Sequence, residues 1–315
     1  MSIDELVTHY IALRRTLGAR FRSQEDWLRS FCRAVGPQTR IAHIETKVVA
    51  AFLAGNGPVT SAWFKKYQAR KGFFGFAISR GHLSAAPLPT VLPKHPPSFV
   101  PYIYTQDELR RLLDAIPSSQ HYNVVIESDT LRAILLLLYG AGLRVGEALA
   151  LSVADVDLPN ALLTVRDTKF FKSRLVPIGQ QLAGLLTEYA RQRAGRHSGD
   201  NTESRFFLGR LGKPIPLRTI DSTFRRLREH ACIGRSDGAR YQPRLHDLRH
   251  SFAVHRLTEW YRQGADVQRL VHHLSVYLGH TSLAATQVYL TMTPELLRQV
   301  GTRFERYARG EGSHA

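Results

Sequence analysis

The chain has 315 residues, room for two domains of ordinary size, and 43% of them are hydrophobic, enough for packed cores. Its formal net charge of +17 and pI near 10.3 exceed what solubility needs and point to a polyanion, with nucleic acid ahead of membrane. The longest apolar run, residues 133–139, is far short of the ~20 residues of a spanning helix. The opening Asp4 and Glu5 argue against a secretory leader, and Cys32 and Cys232 have no C-x-x-C partner. A disulfide scaffold or cysteine zinc site is thereby excluded, and a reducing cytoplasm is the expected setting.

From the N-terminus, residues 1 to about 84 are expected to be helices. Leu6, Tyr10, Leu13 and Leu17 recur at three- and four-residue steps, as do Trp27, Phe31 and Val35. Between Thr46 and Gln106 there is no Asp or Glu, while Lys47, Lys65, Lys66, Arg70, Lys71, Arg80 and Lys94 fall inside. Trp63, Phe64, Tyr67, Phe73, Phe74 and Phe76 are interleaved, and by themselves mean a helical core. The missing acids, which would repel phosphate, mark the basic residues as candidate DNA contacts.

Pro87, Pro89, Pro93, Pro96, Pro97 and Pro101 then exclude helix and interior strand. As polyproline II, residues 85–101 would reach about 50 Å, enough to span a duplex. The expected organisation is a helical DNA-clamping domain over residues 1–92, a proline-rich linker over 93–101 and a larger domain over 102–315. Composition equally allows a linker between domains that simply pack together.

In the larger domain Thr105 and Glu108 form a capping box for a helix through Leu109, Leu112 and Leu113. Asp129 is expected to cap the next, whose apolar face runs from Leu131 to Tyr139 and stops at Gly140 and Gly142. Two strands, Leu162–Val165 and Arg174–Pro177, flank the turn Lys169-Phe170-Phe171-Lys172. Leu182, Leu185, Leu186 and Tyr189 give another helix. The fold class expected is mainly α with a small antiparallel sheet.

Reactive residue types follow in order. Arg144 precedes Glu147 by one helical turn, Lys169 sits at the hairpin, and His246 and Arg249 share a helix face with His250 beside them. His280 follows Leu278-Gly279, and Tyr289 lies nearby. Each alone is unremarkable, since a lone histidine or a tyrosine among aliphatics is usually structural. Together they supply what phosphoryl transfer needs. Fixed cations balance charge on the phosphate oxygens, with arginine suited to bidentate binding. A phenol is a nucleophile when cations or a base ease its ionisation, and a lysine can protonate a leaving alkoxide.

The stretches Gly-Leu-Arg144-Val-Gly-Glu147, Arg174-Leu-Val-Pro177, His246-Asp-Leu-Arg249-His250, Leu-Gly-His280 and Tyr289 resemble the tyrosine recombinases, or phage-type integrases, in order and spacing. The resemblance implies a Xer-like pair of domains: a helical core-binding domain and a DNA breaking-rejoining catalytic domain. It further implies attack by Tyr289 to give a 3′-phosphotyrosyl bond, with Arg144 and Arg249 on the non-bridging oxygens. Lys169 would be the general acid, His246 a base or hydrogen-bond partner, and His280 a donor to the phosphate. Glu147 and His250 would support the arginines and the loop. The family hairpin usually carries glycines around its lysine; here Lys172 competes with Lys169 for the acid role, and Lys172 and Arg174 are further candidate DNA contacts.

No metal, ATP or other cofactor is implied. The implied partner is double-stranded DNA at specific recombination sites, bound as a homotetramer or together with other recombinases, in the cytoplasm at the nucleoid and not at a membrane. The wording around Tyr289 resembles recombinases of transposable elements, and the N-terminal part has no room for an added arm-binding domain. Residues 294–307 form an expected amphipathic helix that packs on its own domain or docks on a neighbouring subunit. His272 and His273 fall in a stretch about one turn longer than in Xer-type enzymes and are expected to face solvent. Two alternatives remain: a type IB topoisomerase-like relaxing enzyme, and a non-cleaving DNA-binding regulator. A metal-dependent nuclease is disfavoured because no Asp/Glu cluster stands out.

Overall fold

A computed structural model of the chain describes residues 1–19, 21–96, 99–119, 125–166, 173–197, 202–239, 241–280, 284–291 and 301. The chain divides into two compact units, Met1–Phe99 and Val100–Ala315. Lys169, Lys172 and the expected helix over 294–307 lie outside the described residues, apart from position 301.

The first unit holds α1 (Ile3–Thr16), α2 (Arg22–Val35), α3 (Thr46–Ala54) and α4 (Ser61–Ser79). Helix α1 starts at a capping box: Ser2 accepts the Glu5 amide and the Glu5 carboxylate accepts the Ser2 amide. Its buried stripe is Ile3, Leu6, Val7, Tyr10 and Ile11. The expected continuation through Leu17 fails because the helix ends at Thr16, leaving Leu17 69% exposed. Leu28 and Phe31 from α2 meet Trp63, Phe73 and Phe74 from α4 in the core, with Phe64, Tyr67 and Phe76 packed at its margin. Leu83, Ala86 and Leu88 pack on this same core, and the His95 ring stacks on Phe64 with centroids 3.6 Å apart. The proline-rich segment therefore begins laid along its own unit, and residues 85–101 are not a free rod throughout.

The second unit begins with α5 (Gln106–Asp114), where the predicted cap forms: Thr105 accepts the Glu108 amide at 3.2 Å and Glu108 accepts the Thr105 amide at 2.9 Å. In α6 (Ser128–Gly140) the cap position is Glu127, not Asp129. Asp129 lies within the first turn and pairs with Arg196, so its carboxylate favours the positive helix end without capping it. After α7 (Val145–Ala150) come β1 (Val156–Asp157), β2 (Leu162–Val165) and β3 (Arg174–Pro177), an antiparallel sheet in that order with Leu163 opposite Val176. Leu163, Val165 and Val176 point inward, giving the alternation that identified the hairpin. β1, two residues long, carries no such pattern and was not expected.

The rest is helical: α8 (Gln180–Arg196), α9 (Leu217–His230), α10 (Asp247–Arg262), α11 (Val267–Leu278) and the short α12 (Ala284–Gln287), followed by a 3₁₀ turn at Val288–Thr291. Leu131, Ile134, Leu137, Leu163, Phe207 and Phe224 are among the buried residues of the main core. Phe252, Leu257, Val271, Leu274, Leu278 and Tyr289 form a second cluster where α10, α11 and the 3₁₀ turn meet. His272 and His273 are exposed on α11.

Candidate active site

Arg144, His246, Arg249, His280 and Tyr289 come from five positions along the chain and converge around the start of α10. The loop between α6 and α7 contributes the first. Gly142 has φ +59°, and a Cβ there would stand 2.5 Å from the Phe252 ring and 2.9 Å from Leu278. Only glycine lets this loop lie against α10 and α11. Its carbonyl accepts Arg249 Nη1 at 2.5 Å, and Leu278 O accepts Nη2 at 2.6 Å. Arg249 is 2% exposed. Burial, then the charge of Arg144, lowers its pKa to about 10, which still leaves it a cation at neutral pH.

Arg144 is the cap residue of α7, whose first turn brings Glu147 back to it. Glu147 accepts the Arg144 amide at 3.0 Å and Nη1 at 2.7 Å, while Nη2 donates to Gly279 O at 2.9 Å. Glu147 also receives both terminal nitrogens of Arg174, at 3.1 and 2.8 Å. Burial alone would raise the Glu147 carboxyl; hydrogen bonds and charge from Arg174, then Arg144, hold it at about 2 instead. Two guanidiniums, Arg144 and Arg174, thus share one carboxylate, and Arg249 adds a third positive charge held by the Gly142 and Leu278 carbonyls. The surplus positive charge suits an incoming phosphodiester.

Helix α11 ends in a Schellman turn: Gly279 is left-handed at φ +65°, its amide reaches Val276 O, and the His280 amide reaches Ser275 O. This fixes His280 immediately beyond the helix, with Nδ1 2.6 Å from Thr286 Oγ1. Tyr289 is 3% exposed, and its hydroxyl lies 3.0 Å from His250 Nδ1. Burial raises the phenol pKa, and Arg249 followed by Arg144 works against the rise. His246, His250 and His280 are depressed to about 4, 3 and 4, first by burial, then chiefly by neighbouring positive groups (Arg249 for His246 and His280; His246 and Arg244 for His250). All are neutral imidazoles at pH 7.

Several expectations need correction. His250 was expected to support the arginines or the loop, but its ring nitrogen contacts the tyrosine hydroxyl. Arg174 was expected to contact DNA, yet its side chain is 12% exposed and its fork is committed to Glu147. Arg70 is also removed from the surface. It is wholly buried, donating to Lys66 O and Trp27 O, with its guanidinium over the rings of Phe31 at 4.9 Å and Phe52 at 4.5 Å. Lys47, Lys65, Lys71 and Arg80 are exposed and Lys66 is half-buried; Lys47 pairs with Glu45 at 2.8 Å.

A cleft of about 760 Å³ leads away from Arg144 and His246, lined also by Arg218, Asp221, Arg225 and Arg244. On α9, positions 218, 221, 222 and 225 form one helical stripe facing this cleft, while Ile220, Phe224 and Leu227 face the core. The spacing of Arg218 and Arg225 two turns apart on one face is a signal present in the sequence itself. Thr286 and the Tyr289–His250 pairing had no local signal. Among the described residues no group of three His, Cys, Asp or Glu is arranged to hold a metal, and no helix is long and apolar enough to cross a membrane.

Residues 103–295 match the model of the phage integrase family. A putative integrase/recombinase, y4rB, of Sinorhizobium fredii is 34% identical over 306 residues, covering 96% of each chain. Tyrosine recombinase XerA of Thermococcus kodakarensis is 36% identical over 207 residues, 66% of this chain and 64% of that one. Among solved structures, the Tn1549 transposon integrase in complex with transposon right end DNA aligns over 98% of this chain and 100% of its own, with a TM-score of 0.70 and 16% identity, a likeness of fold. The family match and the full-length relative agree with the site's geometry, and the chain belongs to the phage integrase family of tyrosine recombinases.

Proposed function

We propose that the chain cleaves and rejoins double-stranded DNA at defined recombination sites, with Tyr289 as nucleophile, in the service of a mobile element. The observation that carries this reading is the Tyr289 hydroxyl, 3.0 Å from the His250 imidazole, with the charge of buried Arg249 acting to ease the phenol's ionisation. In the reaction the phenol oxygen attacks the scissile phosphorus and the 5′-oxygen leaves, giving a 3′-phosphotyrosyl bond and a free 5′-hydroxyl. Arg144 and Arg249 hold the non-bridging oxygens, and His280 donates to one of them. His250 fixes the phenol and takes its proton as the bond to phosphorus forms, with His246 beside it, ring centroids 5.0 Å apart. Lys169, or Lys172 in its place, protonates the departing oxygen. A 5′-hydroxyl from another strand reverses the step, so phosphodiester energy is conserved and no ATP is required.

The arginine-lined cleft beside α9 serves as the path for the duplex, and exposed Lys65, Lys71 and Arg80 add phosphate contacts from the first unit. A homotetramer on DNA, alone or with other recombinases, and action on nucleoid DNA in the cytoplasm complete the reading. The test uses nicked duplexes tiled across the DNA flanking the coding sequence, with adducts resolved on denaturing gels. Wild type is expected to form a covalent protein–DNA species that Tyr289→Phe abolishes. An adduct that survives in Tyr289→Phe, or none with any duplex from wild type, removes Tyr289 from the chemistry.

A further inference from the structure

Arg174, its side chain 12% exposed, reaches both supports of the phosphate site, the Glu147 carboxylate and the end of α11. From β3 its two terminal nitrogens form a fork on the Glu147 carboxylate, at 3.1 Å to Oε1 and 2.8 Å to Oε2. The same Oε1 receives Arg144 Nη1, and the same Oε2 receives the Arg144 amide. Arg144 engages both oxygens through one side-chain and one backbone donor; the fork from Arg174 adds a second donor to each, so the carboxylate plane, and with it the Arg144 guanidinium, is held from both sides. The remaining nitrogen, Nε, donates to Tyr277 O at 3.0 Å, near the end of α11. Directly beyond, the Gly279 backbone lies so close to the guanidinium that a Cβ would stand 2.8 Å from Nη1 and 2.9 Å from Cζ. Gly279 O is the acceptor of Arg144 Nη2, and His280 is the next residue.

Resting on the recombinase reading above, we propose that Arg174 is a positioning residue for the reaction: it sets the geometry of Arg144 through Glu147 and of the His280 turn through Tyr277 and Gly279, without touching DNA. Charge alone does not suffice for this role. A lysine would keep the positive charge but has neither the fork for Glu147 nor the third nitrogen for Tyr277.

The experiment measures adduct formation at saturating DNA, with duplex affinity and Tm in parallel, on a nicked duplex that wild type cleaves. Arg174→Ala and Arg174→Lys are both expected to lose on the order of 100-fold in rate, with affinity within about threefold of wild type. Two further readouts separate positioning from a general structural defect. On a duplex with a methylphosphonate at the scissile position, where one charged oxygen is gone, the deficit shrinks to about tenfold or less, because less charge needs a placed guanidinium. In a Glu147→Gln background, Arg174→Lys costs little more, because the link it works through is already cut. The proposal is overturned by wild-type rates in Arg174→Lys, by a deficit that more DNA restores, by equal deficits on both phosphate chemistries, or by additive losses with Glu147→Gln. If wild type forms no adduct on any duplex, the recombinase reading fails first and this role falls with it, a result distinct from the four above.

Discussion

Arg70 and Arg174 occur in basic sequence contexts, and both were expected to meet phosphate; each is instead held inside its own unit. Arg70 sits between two phenylalanine rings with its Nε unpartnered, so it contributes mainly through packing and cation–π contact. Arg70→Ala should lower stability by about 3 kcal/mol in urea unfolding, while Arg70→Met, which keeps most of the volume, should lose less. At temperatures where both variants are folded, DNA affinity should stay within about twofold of wild type. A large affinity loss in a folded Arg70→Met would return this residue to the DNA contacts. Exposure separates these arginines from Arg218 and Arg225, and exposure is a tertiary property that residue type alone does not carry.

At the level of elements, the site depends on two left-handed glycines at the ends of helical segments. Gly142 turns the α6–α7 loop onto Phe252 and presents its carbonyl to Arg249. Gly279 ends α11 against Arg174 and presents its carbonyl to Arg144. Gly142→Ala combines a left-handed penalty of about 1–2 kcal/mol with a clash against Phe252 and Leu278 of similar size, about 3 kcal/mol together. Urea unfolding should register that loss, and adduct formation should fall with it because the Arg249 acceptor moves. A loss under about 1 kcal/mol would mean the loop can yield. The hairpin and the α5 cap were legible because alternation and capping are short-range patterns. The short β1 was not, and the cap of α6 is Glu127, two residues before the Asp129 expected there.

For the molecule as a whole, the buried titratable groups set a direction for acid stability. Glu147, held at about 2 against an ordinary 4.5, contributes stability that is complete above 4.5 and is lost as pH falls toward 2. His246, His250 and His280, folded at about 4, 3 and 4 against 6.5, remain neutral while the unfolded chain takes up protons. Their effect is likewise a loss of stability as pH falls below 6.5. Tm should therefore be nearly level above pH 7 and decline from pH 6.5 to 4, steepening below 4.5 as Glu147 adds to it. Calorimetry across that range checks this, and a Tm that rises from pH 7 to pH 5 would contradict three neutral, half-buried histidines.

By itself the sequence determined the chemistry: an ordered set of Arg, His and Tyr motifs, a basic chain suited to DNA, and a mainly helical fold with one small sheet. These follow from residue type and from spacings within single elements, which are local quantities. Tertiary structure alone decided that His250 meets Tyr289, that Arg174 and Arg144 share Glu147, and that Arg70 is core. Arg144 lies one turn from Glu147, but Arg174 reaches it across 27 residues, His250 reaches Tyr289 across 39 and Arg70 reaches Trp27 across 43, so these contacts depend on how elements pack and not on any periodicity along the chain.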